Sequence, residues 1–321
     1  MSDPPVSVLL PTYNQVPFAA EAIESAIEQD YANLQVVVGD DGSTDGTAEL
    51  VAWYAERFPS RVLAIVGEPH VGITANCNRV LARCTGDYLA FHAGDDLFLP
   101  GKIRRQVEWL ESSPQRVLCG HDVEVMDEQG RIMYLWSRLA HMTAGTGARK
   151  LVEQSYLYPG VSLMVRAAAR PSSGYDARLP VVSDWLFFID CLAGGGTYGH
   201  IEGAWARYRR HSGNITQVDP QQMARREVIR TDLLVTLALV EAKYPSLVDC
   251  ARTGRATIFA REGAWYLSRG APIMARRFLW AGLRQSLTTS RLGLVGLLAT
   301  YLPHPVLRVA VAWAARRRLR F

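Results

Sequence analysis

The sequence lacks the cysteine patterns of a zinc-binding or disulfide-rich protein. Its 321 residues include five cysteines, and no two of them form a Cys-x-x-Cys pair. This spacing argues against a zinc knuckle or a redox dithiol, and it favours free thiols in a reducing cytosol. The N-terminus has no basic segment followed by a long apolar run, so no secretory signal peptide is expected. Together these absences predict a cytoplasmic protein.

The chain also lacks an apolar segment long enough to span a bilayer. Near its C-terminus it lacks acidic residues. The apolar stretch 292–302 is shorter than the roughly 20 residues that a membrane-spanning helix needs. Residues 263–321 contain ten arginines but no lysine, aspartate or glutamate, whereas residues 1–262 carry 25 basic and 31 acidic side chains. A basic tail on an acidic body predicts contact with an anionic surface. The alternative is a solvated helical cap that packs on the rest of the chain or on a second subunit.

Hydrophobic periodicity in the first hundred residues alternates between short strands and amphipathic helices. Strands are predicted at 6–10, 34–38, 61–66 and 87–92, and helices at 18–29, 47–58 and 73–82. Strands that alternate with helices predict a mostly parallel α/β sheet flanked by helices. Ligands bind at the carboxyl ends of such strands, and the polar clusters PTYN, DDGSTD and GDD all follow predicted strands.

The rest of the chain is more mixed and then becomes helical. A strand is predicted at 117–126, and 160–165 is another short apolar segment. Helices are predicted at 183–192, 221–243, 248–268 and 273–287. A chain of this length accommodates about two domains. We therefore expect a catalytic domain at 1–219 and a helical C-terminal region with a basic tail at 220–321.

The cluster GDDGSTDGT at 39–47 is the first candidate for binding chemistry. Asp40 and Asp41 stand at a strand end before glycine and small polar residues, so a tight turn there can bring carboxylates and backbone to a ligand. The alternative is ordinary turn chemistry, in which Asp-Gly-Ser only stabilises the loop.

A second cluster, Gly94-Asp95-Asp96, follows the predicted strand 87–92. Adjacent carboxylates repel each other, and a hard divalent cation relieves that repulsion. Mg²⁺ in particular is often held by one or two carboxylates together with substrate phosphates. A helix N-cap at Asp96 is an alternative that does not exclude the metal.

Asp184 and the segment YRRHSGNIT at 208–216 complete the candidates. Asp184 lies in the apolar stretch VVSDWLFF, where burial would raise its pKa and suit it to act as a general base. Helix N-capping by Ser183 or Asp184 is the structural alternative. Arg209 offers bidentate donors to phosphate, and His211 offers an imidazole to a metal, although a single histidine is usually structural.

In this order, these segments resemble the family 2 glycosyltransferases, which have the GT-A fold. The resemblance covers residues 6–215. It is carried by five segments, VSVLLPTYN, VVVGDDGSTDGT, GDYLAFHAGDDLFLPGKIRRQ, VSDWLFF and YRRHSGNIT. Each is weak alone, but five in the family's order and spacing are specific.

The resemblance implies a role for each candidate residue. It implies that Asp184 is the catalytic base of an inverting enzyme, and that Asp95, Asp96 and His211 hold a divalent metal, Mg²⁺ or Mn²⁺. The residues that it implies for binding the nucleotide-sugar are Pro11, Thr12, Tyr13, Asp40, Asp41, Asn78, Arg79, Gly94 and Arg209.

The sequence departs from the family's pattern at three positions. Where the family often has an acid ahead of the paired aspartates, this chain has Ala93, so fewer protein ligands remain for the metal. Ser183 replaces a frequent Glu, and Cys77 replaces a frequent Arg. These departures bear on metal affinity more than on fold.

The activity implied is transfer of a sugar from a nucleotide-diphosphate-sugar to an acceptor hydroxyl with inversion. The resemblance places it in bacterial surface-polysaccharide or glycan assembly, on a glycan or lipid-linked acceptor. The basic tail adds a peripheral contact with the inner face of the membrane, and an oligomer is possible.

Nucleic acid is not an expected partner, since no binding motif accompanies the basic tail. The alternatives are a non-catalytic nucleotide- or sugar-binding protein of the same fold, and a nucleotidyltransferase, whose Gly-rich basic loop is missing.

Overall fold

The computed structural model describes residues 3–136, 147–155, 159–215, 223–286, 297–298 and 300–301. The described residues belong to two compact units, one within Met1–Ala148 and Leu157–Asp232, the other within Arg149–Tyr156 and Leu233–Phe321. The expected domain boundary between 219 and 220 lies outside the described residues and stays a prediction.

The first half of the first unit alternates strands and helices as the periodicity predicts. In chain order these are β1 (Val6–Thr12), α1 (Val16–Ile27), β2 (Leu34–Asp40), α2 (Thr47–Arg57), β3 (Val62–Ile65), α3 (Ile73–Leu81) and β4 (Tyr88–Phe91). The strands lie in the order β3-β2-β1-β4 and all pair in parallel. Every residue of β1 is buried, and all of them except Ser7 and Thr12 are apolar, as expected for a central parallel strand.

The second half of this unit continues the same sheet with a change of direction. Its elements are β5 (Leu97–Phe98), α4 (Lys102–Glu111), β6 (Arg116–Met126), β7 (Ile132–Trp136), β8 (Met164–Arg166), α6 (Ser183–Ala193) and β9 (Thr197–Arg209). Helix α5 (Ala148–Gln154) comes between β7 and β8 in the chain but, apart from Ala148, belongs to the second unit. The order beyond β4 is β8-β6-β9-β5, and β7 pairs with β6. Strand β8 is antiparallel to both neighbours, so the expected mostly parallel sheet is mixed. The predicted α/β class with flanking helices is confirmed, and helices α1–α4 and α6 pack on the strands.

The apolar face of α1 shows how the core forms. Ala19, Ala22, Ile23 and Ala26 recur at helical spacing and are fully buried. Ile23 belongs to the same cluster as Val8 and Val36 of the sheet. Cutting a buried isoleucine back to alanine typically costs about 2–5 kcal/mol of stability, so this face holds α1 and the loop before it in place.

The second unit is helical. Helix α7 (Met223–Lys243) runs into it, and α8 (Val248–Ser268) and α9 (Pro272–Gln285) pack together around Tyr266, Leu279 and Leu283. A Cβ atom on Gly263 would lie 2.5 Å from Leu279, so glycine is what lets the two helices approach here. Within the described residues the three helices predicted here are confirmed to within two residues at each end, and the predicted positions 221, 222 and 287 lie outside those residues. Within the described residues, no helix combines the length and the apolar composition needed to cross a membrane.

Candidate functional site

Two polar loops meet at the carboxyl ends of β1 and β2. The N–H of Asp41 donates to the carbonyl of Thr12 at 3.0 Å. The N–H of Asn14 donates to Ser43 Oγ at 2.8 Å, and Asn14 Oδ1 accepts the N–H of Thr44 at 2.9 Å. These bonds fasten the PTYN segment to the DDGSTD turn. The parallel pairing of β1 and β2 therefore brings together polar segments that lie about thirty residues apart in the sequence.

The two carboxylates of the DDGSTD turn organise the surrounding loops. Asp40 accepts the N–H of Ser43 at 2.8 Å. Asp41 is buried and accepts the N–H groups of Val71 and Gly72, both at 2.9 Å. Its Oδ2 also lies 2.9 Å from His70 Nδ1. Both predicted binding residues thus shape the loops at this edge of the sheet.

The rings of Tyr13 and His70 form an aromatic surface beside these loops. Tyr13 is 43% exposed and stacks on His70, with 4.3 Å between the ring centroids. Pro11 and Thr12, by contrast, are buried in β1. Among the three predicted PTYN residues, only Tyr13 therefore offers its side chain to a ligand without rearrangement.

Helix α3 supplies the next two predicted residues, which play different parts. Arg79 Nη1 donates to the carbonyl of Pro69 at 3.1 Å and lies 3.7 Å from Asp41, so it belongs to the same cluster of loops. Asn78 instead donates to the carbonyl of Tyr175 and accepts its N–H, at 2.9 and 2.8 Å. The structure thus uses the amide of Asn78 to clamp the chain that precedes α6.

A second cluster forms where β5 pairs with the end of β9. Leu97 lies opposite Arg207 in that pairing, which brings the GDD segment beside the residues that follow β9. Asp95 Oδ2 accepts hydrogen bonds from His211 Nε2 and Asn214 Nδ2, each at 2.9 Å. Asn214 Oδ1 in turn accepts the N–H of His211 at 2.6 Å. Two predicted metal ligands, separated by 116 positions, are therefore in contact.

Asp96 and Arg209 hold this cluster from behind. Asp96 Oδ1 accepts the N–H of Arg209 at 3.0 Å, and burial, reinforced by the charge of Asp95, raises the pKa of Asp96 well above its usual range. The Arg209 guanidinium donates to the carbonyls of Asp95 and Glu128 and pairs with Glu21. Its side chain is only 3% exposed. The structure thus gives Asp96 and Arg209 positioning contacts, and their predicted direct roles at metal and donor stay predictions.

The packing of Gly94 and the position of the α4 N-cap define the conformation of the GDD segment. A Cβ atom on Gly94 would lie 2.3 Å from Gln15 Oε1 and 2.6 Å from Thr12 Oγ1, so the close approach of the two loops requires glycine here. The N-cap of α4 is Gly101, so Asp96 is not a helix cap. The GDD segment is thereby built as a loop against the PTYN segment.

The donor set at Asp95 and His211 fits a divalent metal. Its two coordinating atoms, a carboxylate oxygen and an imidazole nitrogen, lie 2.9 Å apart, close enough for both to bind one ion. Among the described residues, no group of three His, Cys, Asp or Glu side chains has a metal-binding arrangement. Two protein ligands nevertheless match ions such as Mg²⁺, which complete their shell with water and substrate phosphates.

Asp184 lies in the first turn of α6. Val182 is the N-cap of that helix, so the expected capping by Ser183 or Asp184 is wrong. Asp184 Oδ1 accepts the N–H of Trp185 at 2.8 Å, and burial raises the pKa of Asp184 to about 6. The charges of Asp184 and Asp41 both raise the pKa of buried Cys77, after burial itself. Cys77 thus lies within electrostatic reach of the first loop cluster and of the candidate base.

The loop before α6 is held rigidly. The N–H groups of Val181 and Val182 both donate to Asp232 Oδ2, at 2.8 and 2.9 Å. Thr74 of α3 donates to the carbonyl of Leu179 at 2.6 Å and lies 2.9 Å from Ser183 Oγ. Asp184 therefore has a fixed place relative to α3.

Sequence reasoning missed several residues that build the site. Asn14, Ser43 and Asn214 all lie inside the segments that carried the resemblance, but an amide or hydroxyl in a loop gives no signal of its own. Glu21 lies in the middle of α1, and its pairing with Arg209 depends on a contact across 188 positions. No local pattern could have identified that contact.

Comparison with known proteins places these clusters in a family. A family model described as "Glycosyl transferase family 2" matches residues 7–170. EpsE of Bacillus subtilis is 31% identical over 195 residues, which cover 59% of this chain and 68% of EpsE. An uncharacterized glycosyltransferase of Nostoc sp. is 30% identical over 285 residues, covering 82% of this chain and 84% of the relative. An uncharacterized protein of Mycobacterium tuberculosis is 34% identical over 221 residues, 65% of this chain and 60% of its own.

Solved structures share the fold. TarS of S. aureus, residues 1–349 in complex with UDP-GlcNAc, has a TM-score of 0.64 at 17% identity over 98% of this chain and 92% of TarS. The mannosyltransferase PcManGT of Pyrobaculum calidifontis, in complex with GDP-Man and Mn²⁺, has a TM-score of 0.58 at 20% identity over 100% of this chain and 88% of PcManGT. At these identities the likeness establishes the GT-A fold alone, which confirms the predicted fold.

Proposed function

The chain belongs to glycosyl transferase family 2, and from that premise we propose that it transfers a sugar from a nucleotide-diphosphate-sugar to an acceptor hydroxyl with inversion. The observation that carries the proposal is the contact between Asp95 and His211 at the same edge of the sheet as the Tyr13 and Asp41 loops. This edge joins a metal-type donor set to an exposed aromatic surface. Together they suit a nucleoside diphosphate, whose base can stack on the ring and whose phosphates can share the metal.

The donor's nucleoside is assigned to the loops after β1 and β2. Tyr13 offers an exposed ring for a base to stack on, and Arg79 lies among the same loops with 25% of its side chain exposed. The names of two proteins with this fold mention UDP-GlcNAc and GDP-Man, which supports a nucleotide-sugar as donor. They leave the base and the sugar for this chain open.

A divalent metal, Mg²⁺ or Mn²⁺, is assigned to Asp95 and His211. When bound, such an ion neutralises the negative charge that develops on the leaving diphosphate. Asn214 holds the Asp95 carboxylate and the backbone of His211 at once, and so fixes both ligands. PcManGT, whose complex contains Mn²⁺, supports this assignment.

Asp184 is assigned as the general base. Its carboxylate accepts the proton of the acceptor hydroxyl while that oxygen forms a bond to the anomeric carbon. The bond between this carbon and the diphosphate oxygen breaks with its electron pair on the diphosphate, so attack from the opposite face inverts the configuration. Because burial raises the pKa of Asp184 to about 6, the group is mostly ionised at neutral pH yet more basic than an ordinary aspartate.

The setting proposed is bacterial surface-polysaccharide or glycan assembly on a glycan or lipid-linked acceptor, by analogy with the family. The cluster of arginines 316–320 would bring the enzyme to the inner face of the membrane, at about 1 kcal/mol for each arginine near an anionic leaflet. Residues 316–320 lie outside the described residues. Packing of the tail in an oligomer is the competing explanation.

A thermal-shift panel tests the donor assignment. Nucleoside diphosphates and their sugar derivatives are added with Mn²⁺ or with EDTA, since a ligand that binds the folded state raises its melting temperature. We expect stabilisation by one class of nucleotide, and we expect EDTA to remove it. A panel in which no nucleotide shifts the melting temperature would argue against a nucleotide-sugar donor.

A further inference from the structure

Helix α9 of the second unit exposes one continuous stripe. Ile273, Arg277, Trp280 and Arg284 are exposed and follow each other at spacings of four, three and four residues, which places them on one face. Ile273 is 67% exposed and Trp280 is 50% exposed. The opposite face, with Ala275, Leu279 and Leu283, is buried against α8. The exposed stripe therefore has no structural task within this helix pair.

The apolar character continues beyond the helix. Leu298 and Tyr301 are 63% and 62% exposed, and the Arg276 guanidinium lies 4.1 Å from the centre of the Tyr301 ring. Arg276 also donates to the carbonyl of Thr300 at 2.6 Å, which holds this segment beside α9. Within the described part of the second unit, these two residues, Ile273 and Trp280 account for all the exposed large hydrophobic side chains. Their concentration around α9 marks a single surface.

The charge on this surface has one sign. No acidic residue occurs anywhere from Gly263 to Phe321. On α8, two arginines have acidic partners, Arg252 with Asp249 and Arg255 with Glu241. Among the described residues, by contrast, neither Arg277 nor Arg284 has an acidic partner. The surface thus combines arginines without counter-charge and exposed apolar side chains, including a tryptophan.

We propose that the α9 surface, formed by Ile273, Arg277, Trp280 and Arg284 with Leu298 and Tyr301, lies on an anionic lipid bilayer. Helices that lie in a membrane interface carry basic residues next to Trp and Leu or Ile, and gain from apolar burial and from attraction to anionic lipids together. Trp and Tyr favour the depth of the lipid headgroups. A solvated basic helix would not explain the exposed apolar side chains, and a purely apolar docking site would not explain the arginines.

This inference locates the membrane contact expected for the basic region 263–321 on α9, and it is separate from the arginines at 316–320 and from the transfer reaction. The surface belongs to described residues, whereas the arginines of 316–320 lie beyond them. Vesicle binding is measured without donor or acceptor. The membrane proposal can therefore fail while the transferase assignment holds, and the transferase assignment can fail while the membrane proposal holds. The salt dependence also has two parts, because salt screens the arginine contribution and leaves the apolar contribution in place.

Binding is measured by sedimentation of the full chain with vesicles of phosphatidylcholine alone or with 30% phosphatidylglycerol, at about 50 mM and 500 mM salt. For Arg277→Gln with Arg284→Gln we expect partition onto the anionic vesicles to fall about tenfold or more at low salt. Trp280→Ser should weaken it at both salt concentrations. Matched controls are Trp53→Ser, whose side chain is 51% exposed in the first unit, and Arg252→Gln on α8, and both should bind as the parent does. Circular dichroism confirms that each variant folds.

A label on α9 decides whether this surface itself touches lipid. The five native cysteines are all buried, so an Ile273→Cys variant can be labelled selectively with an environment-sensitive fluorophore. Its emission should shift to the blue on anionic vesicles. With enough vesicles to bind all of the protein, the same shift should persist when Arg316, Arg317, Arg318 and Arg320 are replaced by Gln. A label at Trp53→Cys should not respond. Unchanged emission at position 273, together with unchanged partition of the double arginine variant, would overturn the proposal.

Discussion

Replacing Asp184 by asparagine is expected to stabilise the protein at neutral pH while it removes most of the turnover. Asparagine keeps the shape of the side chain, and its Oδ1 can still accept the N–H of Trp185. It cannot carry the charge or take a proton from the acceptor. The substitution therefore separates two properties of the Asp184 carboxylate, the stability lost by burying its charge and its action as a base in the reaction.

The magnitude follows from the pKa of Asp184, which burial raises from 3.8 to about 6. The folded protein holds this proton more tightly than the unfolded chain, so the group's contribution to stability is full below pH 3.8. It is lost as the pH rises through about 6. A shift of about two units at about 1.4 kcal/mol each corresponds to about 3 kcal/mol. The stability gained by Asp184→Asn should grow across this window and then level off.

Urea denaturation of both proteins at several pH values between 4 and 8 measures the difference. Asp30→Asn is the control, because the Asp30 side chain is 95% exposed and its replacement should change stability little at any pH. Turnover of the parent should rise with pH through about 6, and Asp184→Asn should lose at least about 100-fold, the usual worth of a general base. A variant that is no more stable than the parent at pH 8, or that keeps its turnover, would refute this reasoning.

Three further predictions concern the metal and the tail. Asp95→Ala should abolish metal-dependent nucleotide binding in calorimetric titrations, and an affinity that is the same with Mn²⁺ and with EDTA in the parent protein would contradict the metal assignment. Asn214→Ala should weaken Mn²⁺ affinity about 10- to 100-fold, as loss of a partner that orients metal ligands usually does, with no change in fold by circular dichroism. Replacing the four arginines of 316–320 by glutamine should sharply reduce co-sedimentation with anionic liposomes at low salt. Equal binding before and after that change would leave packing of the tail as the explanation.

The sequence predicts the first half of the sheet well because local signals agree there. The run Val6–Leu10 is apolar at every position except Ser7, and the residues of α1 follow helical spacing, so each element is defined by its own residues. The second half depends on distant pairing. Strand β8 has three residues, and its antiparallel place between β4 and β6 is set by the packing of the sheet rather than by its own composition. The mixed direction of the sheet therefore could not be read locally.

The site shows the same division. Asp95 and His211 were predicted from motifs, and the pairing of β5 with β9 does bring them into contact. The burial of Arg209 could not be predicted, because it depends on Glu21 and Glu128 from other parts of the first unit. Residue types thus indicated the chemistry, and three-dimensional packing decided which side chains face the ligand and which hold the others in place.

Release of nucleoside diphosphate tests the central claim most directly. The protein is incubated with Mn²⁺, an acceptor panel of glycans and lipid-linked sugars, and each nucleotide-sugar in turn, beside Asp184→Asn at the same concentration. The account predicts that one donor class yields nucleoside diphosphate with the parent protein, that EDTA stops the release, and that the variant falls at least about 100-fold below the parent while it still binds the donor. If the protein binds a nucleotide-sugar but no acceptor mixture yields nucleoside diphosphate, the account is contradicted. The protein would then be a non-catalytic binding protein.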